Sequence, residues 1–113
     1  MRYIISGKNI NVTEGLKKTI QEKLGKLEKY FTPDTEAHVT LSVEKDRQKI
    51  EVTIPIKGTI IRAEQESADM YATVDLVQEV VERQLRKYRT KLADKKQSAT
   101  ALSQVFLEEE NDV

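Results

Sequence analysis

The sequence predicts a two-layer α+β domain, a four-stranded mixed sheet with two helices packed on one of its faces. Two stretches of helical period, two runs of clean alternation and a third, weaker run carry that expectation. In 69–96, Met70, Val74, Val77, Val81, Leu85, Tyr88 and Leu92 recur at steps of three or four, the period of one helix face. In 14–31, Leu16, Ile20, Leu24, Leu27 and Phe31 do the same. Between them, apolar residues alternate with polar ones from Val39 to about Glu66, as in strands with one buried face.

Taken in order, residues 2–8 read as a short strand with Tyr3 and Ile5 toward the core, followed by a turn at Gly7 and Asn9. Thr13 suits the N-cap of the first helix, and Pro33-Asp34 is expected to stop it. Val39, Leu41 and Val43 mark the second strand. Lys45-Asp46-Arg47 marks a turn, and Ile50, Val52, Ile54 and Ile56 mark the third strand. Pro55 has no N–H and is expected at a bulge or with its nitrogen side unpaired. Gly58 supplies the next turn, and 59–66 reads as a weaker fourth strand. A crossover through the first helix makes the first two strands parallel, and both helices then cover the apolar side. Residues 1–95 are expected to form the domain, with 96–113 an acidic tail or the start of a linker.

Composition excludes several classes of function. With no cysteine there is neither a disulfide framework nor a thiolate metal site. No apolar run approaches the ~20 residues of a membrane span, so a cytoplasmic location without membrane partners is expected. Nucleophilic catalysis lacks its parts: there is one histidine, His38, on the expected solvent face of a strand, and no serine stands in a nucleophile context. Glu64, Glu66 and Asp69 read as a solvated strand end leading into a helix N-terminus rather than an acid–base pair. The four glycines are scattered, so no phosphate loop exists. No enzyme activity, cofactor, metal or small-molecule substrate is expected.

What remains is charge placement. Lys and Arg balance Asp and Glu at 19 each, but residues 1–31 carry +4, 32–75 carry −4, 76–107 carry +4 and 108–113 carry −4. The two positive blocks hold the helices. In the first, Lys23, Lys26 and Lys29 advance by three; in the second, Arg83, Arg86, Lys87 and Thr90 share a face flanked by Arg89 and Lys91. Helices side by side on one sheet face would merge these rows into a cationic groove suited to a phosphate backbone. Since most aromatics read as buried and Tyr71 as a core edge position, shape-and-phosphate recognition of folded RNA fits better than single-strand stacking. Charge alone leaves RNA, DNA and an acidic protein open.

Three segments resemble the ribosome hibernation-promoting factor family, also called ribosome-associated inhibitor or protein Y: IISGKNINVTEGLKKTIQEKLGKLEKYF, RAEQESADMYATVDLV and ERQLRKYRTKL. The resemblance runs to about Lys95. It implies a β-α-β-β-β-α fold similar to double-stranded-RNA-binding domains, and binding to small-subunit rRNA in the decoding region. Occupancy there would exclude mRNA and tRNA and inhibit translation in dormancy or stress. The family's basic helix positions fall on Lys23, Lys26, Lys29, Arg83, Arg86, Lys87 and Lys91, and Arg89 joins them from the charge pattern. Glu64-Gln65-Glu66 ahead of Asp69 is similar to the N-terminal domain of the long form, in which an acidic linker leads to a domain that pairs ribosomes. Ribosome dimerisation is therefore expected only where such a C-terminal domain is present. A general double-stranded-RNA-binding module is the alternative.

Overall fold

Thr13 opens the first helix. Its hydroxyl accepts from the Leu16 amide at 3.1 Å, satisfying one of the orphan N–H groups of the first turn of α1, Glu14–Gly25. Replacing Thr13 by Ala is expected to lower stability by about 1 kcal/mol in urea titrations, whereas Thr13→Ser keeps the cap. Strand β1, Arg2–Lys8, precedes α1; β2 (Glu36–Glu44), β3 (Arg47–Ile56) and β4 (Thr59–Ser67) follow, and α2 spans Met70–Gln97. The computed structural model describes the backbone of residues 1–97 and the side chains of residues 1–89. The expected tail, 96–113, lies almost wholly outside these, as do the side chains of Thr90, Lys91 and Leu92.

The sheet runs β1-β2-β3-β4, with β1 parallel to β2 and the other two pairs antiparallel. This is the predicted four-stranded mixed sheet, with element order β-α-β-β-β-α. Alternation sets which residues turn inward. Ala37, Val39 and Leu41 of β2, Ile50, Val52 and Ile54 of β3, and Ile61 and Ala63 of β4 are all buried. Leu16, Ile20 and Leu24 of α1 and Met70, Val74, Val77 and Val81 of α2 bury the helix stripes that complete this core. Their outward neighbours His38, Glu51 and Arg62 are exposed, so the other sheet face is open to solvent. Pro55 lies beyond the β2–β3 ladder, which begins at His38↔Thr53, and faces Ile60 of β4. It thus sits where one side of β3 has no ladder to interrupt.

Three boundaries differ from the expected ones. The fourth run is a full nine-residue strand, paired with β3 from Gln48↔Ser67 to Ile56↔Thr59. Arg47 belongs to β3, leaving Lys45-Asp46 as the turn, with Lys45 at φ 57. The first helix ends at Gly25, well before Pro33. There the Leu27 amide bonds the Leu24 carbonyl at 2.9 Å, and a 3-10 turn, Glu28–Tyr30, follows. Leu27 takes φ −98, ψ 0 and buries its side chain completely, so the backbone tightens to keep that leucine in the core.

At the other end Asp69 caps α2: its carboxylate accepts from the amides of Tyr71 at 3.4 Å and Ala72 at 3.3 Å. Thr73 is fully buried, and its hydroxyl donates to the Gln48 carbonyl at 2.9 Å, which ties α2 to β3. The first compact unit is Met1–Glu82, and a second begins at Arg83, within α2.

Candidate nucleic-acid interface

The expected lysine row of the first helix divides among three local environments. Lys23 lies in the last turn of α1, and its ammonium is 3.0 Å from the Asp75 carboxylate of α2. Lys26 is the C-cap residue, exposed and without an ion pair to any described residue. Lys29 is exposed in the 3-10 turn, with Nζ 5.4 Å from the centroid of the Tyr30 ring, within cation–π range. Lys23 and Lys26 suit the negative end of the α1 dipole, and Lys29 follows in the next turn. They therefore cluster at the α1 exit rather than along one helix.

Glu28 sits between Lys26 and Lys29, where a free carboxylate would repel phosphate. The Tyr3 hydroxyl of β1 donates to it at 3.2 Å. Burial first, then the charge and hydrogen bond of Glu28, push the Tyr3 phenol up to about 12. The tie engages Glu28 with β1 and fixes the turn that carries the two lysines. Neither this tie nor the Lys23–Asp75 pair was evident from the sequence, because each joins residues far apart in the chain.

In the second unit Arg83, Arg86 and Arg89 are exposed and Lys87 is half-buried. Their spacing on one continuous helix places Arg83, Arg86 and Lys87 on a common side. Lys91 continues the series in sequence, but its side chain is outside the described residues. The basic residues thus fall into two sets, Lys23, Lys26 and Lys29 in the first unit and those from Arg83 onward in the second.

Most strand acids are engaged with cations on the outer sheet face. Lys49 is 3.2 Å from both Glu51 and Glu64, and Arg47 is 2.8 Å from Glu66. Donation of hydrogen bonds from the Lys49 ammonium to the Glu51 and then the Glu64 carboxylate raises the Lys49 pKa. Arg2 pairs with Glu36, which also lies 3.4 Å from His38. A cleft of about 790 Å³ by the β2–β3 turn is lined by Lys8, Lys45, Arg47 and Lys49 against Glu44, Asp46, Glu51 and Glu66, so it offers phosphate no net charge. Glu64 and Glu66 are thus in ion pairs and Asp69 is a helix cap. Among the described residues no group of three or more His, Asp or Glu could hold a metal ion, and no helix is long and apolar enough to cross a membrane.

One expectation about an aromatic fails. Tyr71, read as a core edge, is 47% exposed, because α2 turns it away from the sheet beside the first turn of α1.

Comparison with known proteins places this arrangement among relatives. The chain is 42% identical over 112 residues to the ribosome hibernation promotion factor of Lactococcus lactis subsp. cremoris (strain MG1363), covering 96% of this chain and 60% of that protein. It is 43% identical over 95 residues to the factor of the same name from Staphylococcus aureus (strain COL), covering 81% and 50%. The chain therefore spans only half to three-fifths of the length of these relatives. Among solved structures, the Thermus thermophilus Protein Y N-terminal domain superposes with TM-score 0.72 at 27% identity, covering 78% of this chain and 99% of that one. A ribosomal subunit interface protein from Coxiella burnetii gives 0.70 at 27% identity, covering 79% and 98%. The profile of the Sigma 54 modulation protein / S30EA ribosomal protein family matches residues 3–93, nearly all of the described fold, and the chain belongs to that family.

Proposed function

We propose that this chain is a ribosome hibernation domain that binds small-subunit rRNA in the decoding region and sterically excludes mRNA and tRNA. The observation that carries the proposal is its 42% identity, over 96% of its length, to a ribosome hibernation promotion factor. The charge arrangement supports an RNA target. Exposed cations stand on helix surfaces and at the α1 exit, while many strand acids are ion-paired on the outer sheet face. Lys26, Lys29, Arg83, Arg86 and Arg89 would take phosphates, with Lys23, Lys87 and Lys91 in support. No chemical step is required, because occupancy alone blocks the channel. Pairing of two ribosomes would belong to the part of the longer relatives that this chain does not span.

The test is competition. The chain is pelleted with purified small subunits at fixed salt in the presence of a rising excess of a simple RNA duplex. The expected result is retention on the subunits with little displacement by duplex. Equal displacement by equimolar duplex would overturn the ribosomal assignment in favour of a general double-stranded-RNA module.

A further inference from the structure

Tyr71 is the one exposed aromatic among the described residues; Tyr3, Tyr30, Phe31 and Tyr88 are all half-buried. Its hydroxyl makes no hydrogen bond to a described residue, so the ring is not held for its polar end. A Cβ built on Gly15 would stand 3.3 Å from that hydroxyl, so Tyr71 lies beside the first turn of α1 at a position where α1 presents no side chain. Around it the surface is charged: Lys18, one turn beyond Gly15, is exposed and unpaired among the described residues, and Asp75, one turn beyond Tyr71, holds Lys23.

The other exposed large apolar residues lie elsewhere. Ile4 and Ile60 are on strands, and Leu76 is ~140° round α2 from Tyr71. A lone flat ring beside one unpaired lysine and a lysine–aspartate pair, with no other large exposed apolar residue beside it, is poorly suited to a protein hot spot, which needs a packed apolar surround. It suits an unpaired nucleobase, whose face stacks on the ring while Lys18 meets its phosphate.

We propose that Tyr71 is a stacking platform for one unpaired nucleobase of the RNA bound by this domain. The proposal rests on the ribosomal reading above and adds to it a contact that is not ionic. Stacking releases no counterions, so loss of Tyr71 should weaken binding without changing its salt dependence, unlike loss of a lysine.

The chain has no tryptophan, so Tyr71→Trp introduces a single reporter at the site. Adding small subunits is expected to quench its emission. Tyr71→Ala and Tyr71→Leu should each raise Kd about 10-fold at an unchanged salt slope, and Tyr71→Phe should stay within about 2-fold of wild type. If Tyr71→Ala fails to fold, the Leu, Phe and Trp variants decide. Wild-type affinity in folded Tyr71→Leu would overturn stacking, indicating either no contact or an apolar one, as with a ribosomal protein; unquenched Trp emission in a bound complex would overturn it too. If wild type itself did not bind small subunits, the ribosomal reading would fall first and this proposal with it.

Discussion

Replacing Lys23, Lys26 and Lys29 together by Glu is expected to abolish co-sedimentation with small ribosomal subunits while the domain remains folded. At ~4 Å in water a unit charge pair is worth about 1 kcal/mol, so each reversal swings about 2 kcal/mol and the three together roughly 6. Screening at physiological salt reduces that sum, leaving an expected loss of about 10²- to 10³-fold in affinity. The corresponding Gln variant removes attraction without adding repulsion. It should bind more weakly and lower the slope of log K against log salt by about 2 to 3.

The three positions are not equivalent in this structure. Lys26 is exposed and unpaired among the described residues, so its charge is available at once. Lys29 can leave the Tyr30 ring at little cost. Lys23 is engaged with Asp75, and a half-exposed pair of this kind contributes 0–1 kcal/mol to stability, so a phosphate can displace it. Among single reversals, Lys26→Glu should therefore weaken binding most and Lys23→Glu least. A folded triple variant, with wild-type melting and circular dichroism, that pelleted like wild type at the same salt would remove the α1 exit from the interface.

The strands and the core were legible because period-two alternation on a sheet with one buried face leaves a single workable register. Val39, Leu41, Ile50, Val52 and Ile54 face inward as their spacing requires. The end of α1 was not legible, for a geometrical reason. A step of three residues keeps a side chain near the same face in both α and 3-10 helices. Leu24 and Leu27 are three apart, so the apolar stripe runs on unbroken through the place where α1 stops. Lys23, Lys26 and Lys29 share that step and looked like one row for the same reason. The surroundings of Tyr71 and Lys23 depend on how α2 packs beside α1, which brings Gly15 to Tyr71 and Asp75 to Lys23. Those are tertiary facts, and periodicity along one segment does not contain them.

Leu27→Ala is expected to be among the most damaging single substitutions in the chain and to reach binding through stability. Leu27 is fully buried, and truncating a buried leucine costs about 2–5 kcal/mol in lost transfer energy and residual cavity. Against a total of about 5–15 kcal/mol for a domain, that is a large fraction. The side chain also holds the backbone path: with Leu27 anchored, its amide bonds Leu24 and its carbonyl accepts from Tyr30 at 3.0 Å. That turn carries Lys26 and Lys29 on either side of Glu28, so a cavity beneath it loosens the lysines before the sheet melts. Urea unfolding should place Leu27→Ala about 3 kcal/mol below wild type, and Leu27→Met within about 1.5 kcal/mol. In hydrogen exchange under native conditions, the Leu27 and Tyr30 amides of the alanine variant should lose more protection than the β2–β3 amides. A stability within 1 kcal/mol of wild type would mean that the turn collapses onto the vacated space. Lys26 and Lys29 would then owe their placement to the Tyr3–Glu28 hydrogen bond instead, and Tyr3→Phe would become the variant that displaces them.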